Sequence, residues 1–144
     1  MNISFEVPGQ PAPWGVYRRR RRGQRSSPGK DRMEAYQDTI RLYARQKWGP
    51  EPPFMGPVKI AVVVYPDVGK TLRGDAINYG KAVEDATQGI VIGNDRQTVE
   101  IRATKGEKPV PGGLTVVWAW SDGAGPVNQA EDSRFIGAVG PEEA

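Results

Sequence analysis

The chain has no cysteine and no histidine among its 144 residues. That removes a thiolate nucleophile, a Ser-His-Asp triad and any ordinary zinc site. It also excludes disulfides, so the compartment cannot be read from them. No apolar run approaches the roughly 20 residues that a membrane-spanning helix needs, and the mean hydropathy is -0.57. The opening residues, Met1-Asn-Ile-Ser-Phe-Glu, lack the basic-then-apolar pattern of a signal peptide. A cytoplasmic setting with no membrane partner is therefore the expectation. What remains is carboxylate, lysine and arginine chemistry, which suits hard divalent cations and phosphate.

Basic residues lead, 20 Lys and Arg against 17 Asp and Glu, but unevenly. Residues 122–144 hold five acids and only Arg134 as a base, so residues 1–121 carry a net charge of +7. A basic body with a pI of 9.3 fits a nucleic-acid partner. The densest stretch is the segment 17–30, where Arg18, Arg19, Arg20, Arg21, Arg22, Arg25 and Lys30 come with no acid. Such a run repels itself until something anionic docks. Arginine grips phosphate bidentately and releases counterions when it does, so these seven are candidate DNA contacts. A solvated loop is the plainer alternative. Trp14 and Tyr17 beside it are candidates for stacking on an exposed base, although aromatics near a strand end more often belong to a core.

Residues 2–7 alternate polar and apolar and predict a strand. A helix is expected over 31–48, with Asp31 and Glu34 as a capping box and Met33, Tyr36, Ile40, Tyr43, Ala44 and Trp48 on its apolar stripe. Val58 to Tyr65 reads as a central strand. Strands are also expected over 98–104 and 114–120. Gly69-Lys70-Thr71 matches the end of a phosphate-binding loop, but Val64 stands where that motif needs glycine. The order β-α-β-α-β-β gives an α/β domain with a small mixed sheet and two helices on one face. Residues 1–121 would form that domain, and 122–144 a loose acidic tail rich in Gly and Pro.

Residues 75–97 collect the polar groups with chemical potential. Asp75, Asn78, Lys81 and Asp85 are spaced to share one side of a helix, and Tyr79, Ala82, Val83 and Ala86 the neighbouring, buried side. Ile90-Val91-Ile92 is a short apolar run that would carry the chain back along a sheet. Gly93-Asn94-Asp95 makes a turn with a second carboxylate. A carboxylate at a helix start, another on a later loop and a lysine between them can hold a hard divalent cation. The plainer readings are a helix cap, a turn and a solvated face.

In order and gap, Asp75, Asn78, Tyr79, Lys81, Asp85-Ala86, Gly89, Asn94-Asp95 and Gln97 resemble the core motif of the RusA family of Holliday junction resolvases, common in phages and prophages. The likeness extends at lower specificity over about residues 3–120. It implies a RusA-like fold and a homodimer acting on four-way or branched DNA. It also implies Mg²⁺, with Mn²⁺ as a substitute, and paired phosphodiester hydrolysis in recombination and repair. Carried over by position, Asp75 and Asp95 would be metal ligands, with Asn94 and Asp85 as further candidates. Lys81 would neutralise charge on the scissile phosphate or help position the water, and Asn78 would orient a ligand or phosphate oxygen. Two positions depart from the family pattern: Ile77 stands at the second carboxylate and Asn94 at the first of the Asp-Asp pair. Fewer anionic ligands weaken Mg²⁺ binding. Two alternatives therefore stand beside the resolvase: a non-cutting branched-DNA binder of the same fold, and a general nucleic-acid binder with a purely structural carboxylate helix.

Overall fold

The computed structural model describes residues 2–15 and 28–121. The elements are β1 (Asn2–Pro8), α1 (Pro28–Trp48), β2 (Val58–Tyr65), α2 (Ala76–Thr87), a 3-10 turn (Asp95–Gln97), β3 (Thr98–Lys105) and β4 (Leu114–Ser121). The strands form one sheet in the order β1-β4-β2-β3. β4 runs antiparallel to both β1 and β2, whereas β2 and β3 are parallel. The expected mixed sheet and element order are both present, with β2 and β4 central and β1 and β3 at the edges.

β1 alternates as expected, burying Ile3, Phe5 and Val7 on one face. α1 begins at Pro28, three residues before the expected start, because a residue with fixed φ and no N–H suits the first helical position. Asp31 is therefore a first-turn acid facing the positive helix end rather than the cap. The helix closes where Gly49, at φ 70°, donates to the Arg45 carbonyl.

Both helices pack on one face of the sheet, as expected. Tyr36, Ile40, Ala44 and Trp48 of α1 and Tyr79, Ala82, Val83 and Ala86 of α2 join Ile60, Val62, Val64, Val117 and Ala119 in the main core. α2 comes close to β3 because Gly80 has no side chain there. A Cβ at that position would stand 2.7 Å from Ile101 Cγ2 and 3.2 Å from Ala103 Cβ. The opposite face carries a second buried cluster: Ala61, Val63, Val116, Trp118 and Trp120.

Two polar contacts lock the helices in place. The Tyr36 hydroxyl and Thr115 Oγ1 lie 2.6 Å apart in the core, and burial raises the Tyr36 pKa. Gln37, also buried, donates from Nε2 to the Ala82 carbonyl at 3.1 Å and ties α1 to α2. Tyr36→Phe leaves the Thr115 hydroxyl unpaired and is expected to cost about 1–3 kcal/mol. Tyr36→Phe with Thr115→Val removes both partners and should recover most of that loss. Urea-unfolding midpoints of the three proteins check it.

Candidate active site

The start of α2 is held by the loop before it. Asp67 Oδ1 accepts from the Val68 and Gly112 amides. Gln10 accepts from the Asp67 amide at 2.7 Å and donates to the Thr71 carbonyl at 3.2 Å. The Tyr79 hydroxyl donates to the Arg73 carbonyl at 2.7 Å. Burial raises the Tyr79 pKa, opposed by that hydrogen bond and by the Arg73 charge, so the group stays a donor. Lys105 Nζ donates to the Gly74 carbonyl. A loop with this many anchors presents the next residue, Asp75, in a fixed place.

Asp75 is the N-cap of α2, with extended backbone (φ -81°, ψ 149°). Its carboxylate makes no capping hydrogen bond, unlike that of a plain cap, and the residue is exposed. Lys81 lies with Nζ 5.4 Å from the centroid of the Trp14 ring, within cation–π range. The Trp14 amide donates to the Asn78 carbonyl at 3.0 Å, which fixes this half-exposed tryptophan against α2. Asp85 leaves the group: its Oδ2 accepts from Gln37 Nε2 at 2.9 Å. Gln37 thus engages Asp85 while Trp14 engages Lys81.

The chain beyond α2 folds tightly. Ile90, Val91 and Ile92 do not form a sheet strand, contrary to expectation. All three amides turn back onto the Thr87 carbonyl, and only isolated bridges to Phe54 and Gln88 remain. Gln97 is the staple here. Its Nε2 donates to the carbonyls of Phe54 at 2.5 Å and Gly56 at 3.0 Å, and its Oε1 accepts from the Gly93 and Asn94 amides. Asn94 caps the 3-10 turn, its Oδ1 accepting from the Arg96 amide at 2.9 Å. The Asn94 oxygen proposed as a ligand is thus already engaged. Asp95 follows it, exposed.

Asp75 and Asp95 lie beyond opposite ends of α2. Asp75 stands where β2 has ended, and α2 then runs back to the start of β2, where Gln97 bonds Phe54 and Gly56. The 12 residues of α2 put about 18 Å of helix between the two acids. Among the described residues, no three Asp, Glu, His or Cys side chains gather to hold a metal ion. Asp75 and Asp95 remain the two carboxylates that the resemblance names for a hard divalent ion. Ile77, at the position of a family acid, is 40% exposed, so an apolar side chain faces solvent in the first turn of α2.

The family model for endodeoxyribonuclease RusA matches residues 8–116. The chain belongs to the RusA endodeoxyribonuclease family. Its members are DNA-binding nucleases that resolve Holliday junctions. The comparison with curated proteins gives no match. Among the described residues no helix is long and apolar enough to cross a membrane.

Of the expected RusA DNA contacts, Arg18, Arg19, Arg20, Arg21, Arg22 and Arg25 lie outside the described residues, as do Tyr17 and the acidic segment 122–144. Lys30 sits in the first turn of α1, with Glu34 at 3.9 Å. Sequence reasoning passed over Gln37 and gave Gln97, a motif residue, no role. For Gln37 the only signal is a polar residue inside an apolar stripe. For Gln97 it is the motif position itself. Gln97→Ala strips four hydrogen bonds from the turn and is expected to cost about 2 kcal/mol, with faster amide exchange at Gly93 and Asn94 than in the wild type. Hydrogen-exchange NMR measures both.

Proposed function

We propose that this RusA-family chain acts as a homodimer that makes paired, Mg²⁺-dependent nicks in opposed strands of a four-way DNA junction, in recombination and repair within the cytoplasm. The observation that carries the reading is Asp75: an exposed carboxylate at a helix N-terminus that caps nothing. It shares α2 with Asn78 and Lys81.

The separation of Asp75 from Asp95 supports the dimer. Two copies facing one another about a two-fold axis can set Asp75 of one against Asp95 of the other, twice. Each such pair offers hard oxygen donors of the kind Mg²⁺ takes. When bound, the ion supplies a more acidic water and charge neutralisation at the phosphate. The protein's own groups do the rest. Lys81, held over Trp14, offsets negative charge developing on the scissile phosphate. Asn78 orients a phosphate oxygen with its amide. Tyr79 keeps Arg73 and the loop in register with Asp75. Asp85, bonded to Gln37, acts in the packing of the helices.

A second reading, a branched-DNA binder that no longer cuts, is favoured by Ile77, whose exposed side chain provides no ligand. The third alternative, a general nucleic-acid binder, has nothing specific to favour it over a family of junction nucleases.

A synthetic four-way junction and a linear duplex with Mg²⁺ or Mn²⁺ separate these readings. The resolvase reading expects paired nicks in the junction alone, reduced roughly a hundredfold or more by Asp75→Asn or Asp95→Asn. Mixing those two variants should restore nicking in one strand, since a mixed dimer rebuilds one shared site and a single-chain site would stay dead. An inert wild type that binds the junction, with cutting gained in Ile77→Asp, establishes the second reading. Ile77 is exposed, so that change should alter stability by only about 0.5 kcal/mol.

A further inference from the structure

Beside the start of α2 lies a cleft of ≈ 980 Å³ between the Pro8–Pro13 segment, the first turns of α1 and the loop 69–73. Among the described residues its lining includes Arg32, Lys70 and Arg73 and no carboxylate. All three cations are exposed, and none has a side-chain ion-pair partner among the described residues. Cations elsewhere on this surface are differently placed: Arg41 pairs with Asp38 at 2.8 Å and Arg102 with Glu100 at 3.0 Å. Three like charges left together around a concave surface repel one another, and an anion there would remove that cost.

The cleft is also built. Gln10 ties its proline-rich wall to the 67–71 loop by two hydrogen bonds. Tyr79 holds the Arg73 carbonyl from the other side. Its walls are thus set before any ligand arrives, which lowers the ordering cost of binding. Its position fixes the ligand class. Arg73 is two residues before Asp75, and Tyr79 is next to Asn78. An extended anion lying over Asp75 and Asn78 therefore runs on into the cleft. A DNA strand has that shape, with a phosphate every ~3.4 Å along its axis.

We propose that this cleft grips the sugar-phosphate backbone of the strand flanking the scissile phosphate, with Arg32, Lys70 and Arg73 as phosphate contacts distinct from the arginine-rich segment. The proposal rests on the reading of Asp75 as the reacting end. The contacts carry no sequence information; they set register, holding the strand so that one phosphate comes to Asp75.

The test measures junction affinity against salt in EDTA, where nothing is cut, so it does not depend on cleavage. Arg32→Gln, Lys70→Gln and Arg73→Gln should each lower the slope of log K against log[salt] by about 0.7 to 0.9. Arg73→Lys should retain the slope, and Lys108→Gln, on the exposed 106–113 loop, should leave it unchanged. With Mg²⁺, the triple glutamine variant should raise KM at least tenfold while leaving kcat on saturating junction within a few-fold. Unchanged slopes in all three variants, with wild-type binding intact, overturn the cleft and spare the nuclease. Cleavage lost in the wild type with the slopes still falling overturns the nuclease and keeps the cleft as a DNA site. A wild type without DNA affinity overturns both. Inorganic phosphate supplies the last arm: if it raises the wild-type Tm through these residues while the DNA slopes stay unchanged, the cleft is a free-anion site and the proposal fails.

Discussion

Parallel neighbouring strands cannot be joined by a tight turn, and this constraint on β2 and β3 governs the rest of the molecule. The chain must leave the end of β2 and return along its whole length before β3 begins. α2 is that return, and its packing on β2 and β3 requires the close approach allowed by Gly80. The crossover fixes where every polar group of the 75–97 segment can stand. Groups before and within the first half of α2 lie at one end of the sheet, and those after it at the other. A site drawing on both ends would have to bridge the length of α2.

The same constraint explains which parts were legible in the sequence. Period-2 and period-3.6 patterns report faces: Ile3, Phe5 and Val7 in β1 and Tyr79, Ala82, Val83 and Ala86 in α2 fell inward as their spacing required. Strand direction is not encoded in such patterns. Val58–Tyr65 and Thr98–Lys105 read alike whether they pair parallel or antiparallel, yet only the parallel choice separates Asp75 from Asp95. Ile90–Ile92 shows the limit for short apolar runs. Three buried residues suit a strand or a plug equally, and the Thr87 carbonyl, accepting from three amides, decides for the plug. The motif around 75–97 was readable because its spacing is chemical, whereas the cleft was not, since Arg32 and Arg73 are brought together only by the folded path of residues 8–13.

Motif residues also divide by task in a way that spacing alone obscures. Gln97 and Asp85 sit in the motif beside Asp75 and Lys81, but their side chains are spent on the fold. Gln97 closes four bonds around the turn, and Asp85 receives Gln37 from α1. Asp75, Asn78 and Lys81 have fewer such obligations. Asp75 is exposed and its carboxylate makes no capping bond, so water solvates it and it stays open to a ligand, whereas its more thoroughly bonded neighbours are committed to the fold.

Gripping DNA and cutting it make opposite electrostatic demands, and the proposed cleft and the proposed metal site place them on different elements. Phosphate contacts need cations and tolerate variation in exact position, because each contributes mainly through counterion release. A metal site needs several oxygens within a few tenths of an ångström of one point. Loss of one acid, which the resemblance implies at Ile77, would weaken the second task and leave the first intact. A chain of this family can drift from cutting toward binding by a single substitution at the start of α2, with neither the sheet, the Gln97 staple nor the basic cleft required to change.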